Sequence, residues 1–300
     1  MKKLLFYAFL IAVLSCSDNK DLTSQQNVNL LKDQENFLTY LSKVKLPEKL
    51  EIFGEKIPLE IPEVRERAER EFYLNLQQPG QLILYIKRSG KYFPTFEKII
   101  ESMSMPKDFK YLSVAESALY MARSPKDAIG LWQFIAPTGK AMGLQIDDYV
   151  DERRNLTKST EAAMKYLKGG FQKHKSWVLA AAGYNMGHEN LSDNVDFQNV
   201  NSFFDLFLND ETSRYILRIA IIKELMENPQ KYGLVLSKED TYKPDAVKYI
   251  EVQGSVPSIS DWAKSHGTTY KDVKLLNPWI LKRNLPAPNK GGSYQIAVPQ

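Results

Sequence analysis

Apolar residues recur along most of this chain at the three- and four-residue spacing of amphipathic helices, which predicts a mainly α protein. The stretches with this spacing, or with a short apolar run of helical character, are 30–41, 64–76, 82–87, 91–103, 107–121, 177–182 and 215–226. Because Pro94 is a favourable first-turn residue, 82–87 and 91–103 are predicted as separate helices. The aromatic residues of the second of these share one stripe and are expected to be core.

Polar and small residues indicate where some of these helices begin or end. Ser159 or Thr160 is a candidate N-cap for the helix that follows the acidic and basic run ending at residue 154. Asp210 is a candidate cap for the helix that contains 215–226. The small apolar run of 177–182 is expected to end at Gly183.

The pattern changes in residues 244–300, where short runs replace the longer helical ones. Tyr249–Val252 and Tyr294–Val298 are predicted strands, Ile259–His266 is a predicted helix, and 273–279 follows as a second helical segment. This strand–helix–helix–strand order predicts a separate small α+β domain. No internal repeat of the unit is visible, so we expect one copy.

The amino terminus has the features of a targeting segment. Two lysines precede an apolar run about 12 residues long, which is too short to span a membrane. The only cysteine of the chain, Cys16, follows Val13-Leu14-Ser15, and this sequence resembles a bacterial lipobox. We therefore expect removal of residues 1–15 and lipidation of Cys16. The alternative is an ordinary secretory signal that ends near a chance cysteine.

Composition narrows the function classes. An apolar fraction of 43% with 25% charged residues is typical of a globular protein. The formal charge of +4 comes from interspersed lysines and acids, so it gives no reason to expect nucleic acid. The three histidines, His174, His188 and His266, do not have metal-ligand spacing, and we expect no metal and no cofactor. A single cysteine excludes an intrachain disulfide.

The candidate for chemistry is Glu116, which falls within the apolar stripe of 107–121. Lys107 and Lys110 lie outside this stripe, as do two serines, Ser113 and Ser117. Burial of a carboxyl group raises its pKa, and a carboxylic acid that is neutral near pH 7 can donate a proton. The alternative is a glutamate that reaches solvent or pairs with a lysine or arginine.

The segment after Glu116 has residues suited to a sugar site. Ser124 to Asp127 is a turn signal, which indicates that the helix stops soon after the glutamate. Trp132 offers a flat apolar face and Gln133 both a donor and an acceptor, so a sugar-binding wall is one interpretation. The other is an ordinary turn with a core tryptophan.

Two further blocks carry polar groups. The Tyr184 hydroxyl and the Asn185 amide each offer a hydrogen-bond donor and an acceptor to a polar ligand. The alternative is a helix C-cap with Asn185 or Gly187 in the left-handed conformation, and both can hold at once. Glu211 has either a role in the cleft or only a favourable first-turn position in its helix.

Several blocks together resemble the signature of the membrane-bound lytic murein transglycosylases, most closely the D type, in the superfamily that includes soluble transglycosylases and goose lysozyme. The blocks are Glu116-Ser117, Ser124-Pro125, residues 128–134, 137–139 and 184–187, and the resemblance covers roughly 60–230. The tail resembles LysM, best over residues 275–279. The chain departs from the family pattern at Asp127, where relatives usually carry a small residue, and in a Glu116-to-Trp132 spacing about one residue shorter.

The resemblance implies a lysozyme-like helical catalytic domain and a small C-terminal α+β domain that binds N-acetylglucosamine chains. The plain alternative for the second is a small packing domain. The expected organisation is a lipoprotein signal peptide (1–15), a flexible tether (16–29), a helical N-terminal region (30–104), a lysozyme-like transglycosylase domain (105–232) and a LysM-like domain (244–300). The implied substrate-binding residues are Ser117, Ser124, Trp132, Gln133, Tyr184, Asn185 and Glu211, beside the catalytic Glu116.

The resemblance also implies a reaction that needs one carboxyl group. Glu116 would protonate the glycosidic oxygen between N-acetylmuramic acid and N-acetylglucosamine and then accept the proton of the muramyl C6 hydroxyl, giving a 1,6-anhydro product without water. One alternative is a muramidase in which Asp127 or Asp151 positions water. Another is a non-catalytic, wall-binding lipoprotein. The expected partners are peptidoglycan strands and, through Cys16, a membrane, which places the protein in the cell envelope on the periplasmic face of the outer membrane.

Overall fold

The computed structural model describes residue 32, residues 34–289 and residues 291–300. The chain divides into two units, Met1–Lys45 and Leu46–Gln300, and each is described by itself. In the first unit, residues 34–43 form helix α1, which overlaps the predicted helix of 30–41. The predicted signal peptide, Cys16 and the tether lie outside the described residues. No helix in the described part of the chain is long and apolar enough to cross a membrane.

The second unit is mainly helical, as predicted. Its helices are α2 (Pro62–Leu76), α3 (Pro79–Ser102), α4 (Phe109–Ser117), α5 (Ala136–Ala141), α6 (Leu156–His174), α7 (Trp177–Met186), α8 (His188–Gln198), α9 (Asp210–Glu227), α10 (Ile259–Ser265) and α11 (Tyr270–Leu276). Its strands are β1 (Glu51–Ile52), β2 (Glu55–Lys56), β3 (Val247–Val252) and β4 (Tyr294–Pro299). Short 3-10 turns lie at Glu152–Arg154, Phe203–Asp205, Pro229–Tyr232 and Lys238–Asp240.

Helix α9 is the centre of the helical part, where α2, α3, α4 and α7 pack against it. It is apolar on most of its circumference, and nine of its residues are buried. A helix that is hydrophobic nearly all round is stable only when other elements cover it. Its N-cap is Asn209, whose side chain accepts a hydrogen bond from the Thr212 amide at 3.0 Å. The predicted cap, Asp210, is instead the first helical residue.

Helix α3 corrects the prediction of two separate helices. It runs without interruption from Pro79 to Ser102 and contains Pro94 in its interior. An interior proline costs roughly 3 kcal/mol because it removes one N–H donor and crowds the preceding turn. The buried side chains of Leu82, Phe96 and Ile100 hold the two halves against the same core, and this packing offsets that cost.

The start of α6 also differs from the prediction. The N-cap is Asn155, whose side chain accepts from the Lys158 amide at 3.0 Å, so the helix begins at Leu156. The predicted caps, Ser159 and Thr160, are buried within the helix. Thr160 donates its hydroxyl to the Leu156 carbonyl at 2.7 Å, a bond that a helical threonine can make to the preceding turn.

The C-terminal part has the predicted strand–helix–helix–strand order. Strands β3 and β4 pair antiparallel, with Val247 opposite Pro299 and Val252 opposite Tyr294. Helices α10 and α11 pack together beside this pair around an apolar cluster that includes Ile259 and Val273. The small α+β domain predicted from the pattern is therefore confirmed.

The segment between the two parts lies along α3. The Tyr242 amide donates to the Lys87 carbonyl at 2.8 Å, and Lys91 forms an ion pair with Asp245 at 2.7 Å. At Gly90 a Cβ atom would lie 2.6 Å from the Thr241 hydroxyl oxygen, so this close approach requires glycine. The connection is therefore packed on the helix.

Candidate active site

Glu116 lies in the last turn of α4, where the helix stops. Ala118 and Leu119 both have positive φ, +55° and +53°, and the Ala118 amide donates to the Val114 carbonyl at 2.8 Å. The predicted stripe over 107–121 is therefore wrong beyond the helix end, and Tyr120 is 60% exposed. The stripe is also wrong in placing Ser113 outside the core, because its side chain is fully buried.

The carboxyl group of Glu116 is partly buried and accepts a hydrogen bond from the Tyr215 hydroxyl of α9. Burial is the largest influence on Glu116 and raises its pKa to about 7. The Tyr215 hydrogen bond lowers the pKa, the charge of Glu211 raises it, and the charge of Arg218 lowers it. Near neutral pH the group is close to half protonated, so the same carboxyl is able to donate a proton and to accept one.

Tyr215 is the site residue that sequence reasoning missed. The pattern placed Tyr215 in the helical stretch of 215–226 and assigned it no role in the site. It is buried, and its hydroxyl donates to a carboxyl group 99 residues earlier in the chain. Burial and the charge of Glu116 hold the pKa of Tyr215 well above its usual range, so it remains a neutral donor. The signal in the sequence was its position in the segment of residues 211–215, four residues after Glu211.

Tyr184 is also held near Glu116, by α7. Burial is the main cause that raises the pKa of the Tyr184 hydroxyl well above normal, and the charge of Glu116 adds to it. The hydroxyl donates to the Trp132 carbonyl at 2.6 Å. A tyrosine that donates in this way keeps the lone pairs of its oxygen as acceptors.

Asn185 follows on the same helix. Its Oδ1 atom accepts from the Thr212 hydroxyl at 2.9 Å, which leaves the Nδ2 hydrogens as donors. The predicted helix end at Gly183 is wrong, because α7 continues to Met186. The residue with positive φ at the helix end is Gly187, at +90°, so of the two candidates for a left-handed cap only the glycine has positive φ.

An open polar pocket of about 440 Å³ adjoins these residues. It is lined by Lys126, Asn185, Met186, Asn190, Asp193, Asn194, Asn209, Glu211 and Thr212. Glu211 is exposed there, and its charge acts on Glu116, which is not itself one of the lining residues. The lining offers several amide donors and acceptors, as a hydroxyl- and acetamido-rich ligand requires.

Trp132 does not face this pocket. Its side chain has no exposed surface, its Nε1–H donates to the Thr160 hydroxyl at 2.9 Å, and its ring packs 5.0 Å from that of Phe96. The prediction of a sugar-binding wall at Trp132 is therefore wrong, and the core alternative is correct. The main-chain carbonyl of Trp132, which binds Tyr184, is its link to the site.

Ser117 also faces inward. Its side chain is buried, and its hydroxyl donates to the carbonyls of Leu131 at 2.9 Å and Ser113 at 3.0 Å. The Ser113 hydroxyl donates to the same Leu131 carbonyl at 2.8 Å. The expectation that Ser117 binds the glycan or the carboxylate is therefore wrong in this structure. The two serines attach α4 to the following loop.

Ser124 and Gln133 are partly exposed, and their hydrogen bonds stabilise the same loop. The Ser124 hydroxyl oxygen accepts from the Ala128 amide at 3.0 Å, which closes the predicted turn. Gln133 donates to the Gly130 carbonyl at 2.8 Å and has a φ of +48°. Both residues shape the loop, and a direct contact with glycan remains a prediction.

The two acids considered for water positioning have other partners. Asp151 is buried in a bidentate ion pair with Arg153, in which both of its oxygens accept at 2.9 Å. Asp127 is exposed and pairs with Arg123 at 2.6 Å. Its φ of +62° is the conformation that glycine adopts most easily, which explains why a small residue suits this position. No group of three or more potential metal ligands occurs in the described residues.

Comparison with known proteins agrees with this geometry. The family described as Transglycosylase SLT domain matches residues 94–203, and the Soluble lytic transglycosylase C-terminal LysM-like domain matches residues 248–300. The chain is similar to membrane-bound lytic murein transglycosylase D of Escherichia coli K12 and of Escherichia coli O6:H1. Each is 25% identical over 254 residues, which covers 82% of this chain and 54% of the relative. The chain thus spans about half the length of the curated relatives it matches.

Proposed function

Since the chain carries a transglycosylase SLT domain followed by a C-terminal LysM-like domain, we propose that it is a peptidoglycan lytic transglycosylase with Glu116 as its catalytic residue. The observation that carries the assignment of Glu116 is its pKa of about 7 in a site where it accepts a hydrogen bond from Tyr215 and feels the charge of Glu211, which lines the open polar pocket. A single group with this pKa serves as acid and then as base.

In the first step, neutral Glu116 protonates the oxygen between N-acetylmuramic acid and N-acetylglucosamine, and the C1–O bond breaks. The muramyl N-acetyl group stabilises the electron-poor C1. Asn185, with free Nδ2 hydrogens, donates to the acetamido carbonyl, and the Tyr184 oxygen accepts from its N–H. Both contacts fix the acetamido group against C1, which lowers the entropic cost of its participation.

In the second step, ionised Glu116 accepts the proton of the muramyl C6 hydroxyl, whose oxygen attacks C1. A 1,6-anhydro sugar forms, and Glu116 is again neutral. Tyr215 stabilises the ionised state between the steps because it donates a hydrogen bond to the carboxylate. Hydrolysis by two carboxylates is less well supported, since Asp151 is committed to Arg153 and Asp127 to Arg123.

The test is the mass of the products released from purified cell wall. We expect 1,6-anhydromuramyl products from the wild-type protein, and a loss of at least about 100-fold in the Glu116→Gln variant, since general acid–base catalysis contributes on that scale. Retention on wall sacculi serves as the control for folding of the variant. Products heavier by one water would establish the muramidase, and bound protein with no soluble product would establish the non-catalytic alternative.

The LysM-like domain and the amino terminus complete the proposal. We propose that the C-terminal domain binds the glycan strand and that lipidated Cys16 anchors the protein in the cell envelope, on the periplasmic face of the outer membrane. The domain match supports the first, and the lipobox-like sequence supports the second. A multiply acylated cysteine holds a membrane more firmly than a single chain does.

A further inference from the structure

A loop of the helical part enters the core of the C-terminal domain and joins the two. Val150 has no exposed surface and belongs to the same apolar cluster as the C-terminal residues Val273 and Ile280. It forms a β-bridge with Ile280, and the Leu281 amide donates to the Tyr149 carbonyl at 2.8 Å. Val150, a residue of the helical part, therefore completes the core of the C-terminal domain.

Asp151, the residue after Val150, links the C-terminal domain to Arg153. The Asp151 amide donates to the Trp279 carbonyl at 2.9 Å, so the C-terminal domain fixes the Asp151 backbone. The Asp151 carboxylate holds Arg153 through two parallel bonds, from Nε and Nη2, each of 2.9 Å. Both side chains are 5% exposed, and a buried bidentate pair of this kind orients the guanidinium in one plane.

Arg153 in turn holds the loop that follows Glu116. Its Nη1 atom donates to the carbonyls of Asp127 and Phe134, each at 3.1 Å, one on either side of the loop. At Gly130 a Cβ atom would lie 2.1 Å from the Arg153 carbonyl oxygen, so the loop backbone rests directly on Arg153. The charge, the donors and the backbone of one residue thus set the position of the loop.

The loop contacts the site at two points. The Leu131 carbonyl accepts from the serine hydroxyls of α4, the helix that ends at Glu116. The Trp132 carbonyl accepts from the Tyr184 hydroxyl at 2.6 Å. A continuous set of hydrogen bonds and packing contacts therefore runs from the C-terminal domain to both sides of the candidate active site.

We propose that Arg153 is a positioning residue and that the C-terminal domain, through Val150, Asp151 and Arg153, holds the loop of residues 124–134 in its active geometry. This role is separate from any glycan binding by that domain, and it rests on the proposed function for its consequence in catalysis. A coupling of this kind requires that each link be rigid, which the burial of Val150 and of the Asp151–Arg153 pair provides.

The test compares two matched truncations in the full-length chain, Val150→Ala and Val273→Ala. Both valines are fully buried in the same cluster, so both changes loosen the C-terminal core in a similar way. Only Val150 lies on the loop that leads to Arg153. Hydrogen exchange of the amides of Ile129 and Gly130, which close the 124–134 loop, should speed up about tenfold in Val150→Ala and stay unchanged in Val273→Ala.

The same pair is then assayed on soluble glycan strands. We expect kcat of Val150→Ala to fall about tenfold with little change in KM, because a small displacement of a positioned group costs that much or more. Val273→Ala should keep its kcat. Arg153→Lys, which keeps the charge but loses the planar fork, should reproduce both effects of Val150→Ala.

Exchange rates and kcat values of Val150→Ala that stay at the wild-type level would overturn the coupling. The exchange measurement does not need catalysis. If wild-type protein made no anhydro product, the proposed function would fail while the comparison of exchange rates would still decide whether the C-terminal domain positions the loop.

Discussion

At the scale of single residues, Glu116 combines two properties that oppose each other. Burial keeps its proton near neutral pH, which the proposed reaction needs, and the same burial makes the ionised form costly to the folded state. Tyr215 and Arg218 reduce that cost, and Glu211 adds to it. The balance leaves a carboxyl group that gains reactivity at the expense of stability.

This balance predicts a pH-dependent stability. The pKa of Glu116 is about 7 in the folded protein and 4.5 when unperturbed, so the folded state binds the proton more tightly. Its contribution to stability is complete below about pH 4.5 and is lost as the pH rises through about 7. The free energy of unfolding of Glu116→Gln, which does not ionise, should therefore exceed that of wild type by about 3 kcal/mol at pH 8 and nearly equal it at pH 4.5.

Urea unfolding at the two pH values measures this difference. Glu101→Gln removes the same formal charge from an exposed position on α3 and serves as the control. A stability gain of Glu116→Gln that is the same at both pH values would contradict the buried, raised-pKa carboxyl.

At the scale of elements, the position of Glu116 depends on where α4 stops. Ala118 ends the helix in the left-handed conformation, with φ +55° and ψ +28°. This conformation is strained for a residue with a Cβ atom and costs roughly 1 kcal/mol relative to glycine. The chain therefore stores a small strain next to Glu116, the proposed catalytic residue, and such strain is common at functional sites.

Two alanine-to-glycine changes, one at the C-cap of α4 and one within the helix, distinguish this strain from ordinary helix propensity. Ala118→Gly should stabilise the protein by about 1 kcal/mol, because glycine adopts positive φ freely. Ala115→Gly, within regular α4, should destabilise it by about the same amount. Urea unfolding of both variants gives the comparison, and destabilisation by both would show that the end of α4 is not strained at Ala118.

Local pattern predicted much of the fold and only part of the site. Helical spacing located α2 and most of α9, and the change of pattern located the C-terminal domain. The side-chain face of Trp132 was undecided in the sequence because its partner, Thr160, lies 28 residues later. The Tyr215–Glu116 contact and the docking of Ile280 on Val150 join still more distant segments, and no local period encodes such pairs.

At the scale of the whole molecule, the proposed envelope location depends on the lipobox-like sequence that ends at Cys16. Mass spectrometry of the mature N-terminal peptide tests it. We expect a chain that starts at Cys16 and carries acyl groups there, and a Cys16→Ala variant that carries none and retains residues 1–15. Ser17→Ala should be acylated normally, and an unmodified Cys16 in the wild-type protein would exclude the lipid anchor.

The segment that joins the helical part to the C-terminal domain, packed along α3, has a consequence for where a glycan strand would be cleaved. Tyr242, Asp245 and the close contact at Gly90 fasten this segment to α3, so we expect the distance from the C-terminal domain to the proposed cleft to vary little. A glycan strand bound by the C-terminal domain would then be cleaved a fixed number of sugars away from its binding site on that domain. The lengths of the released fragments would then cluster around one value. A flexible connection would instead give a broad distribution of lengths.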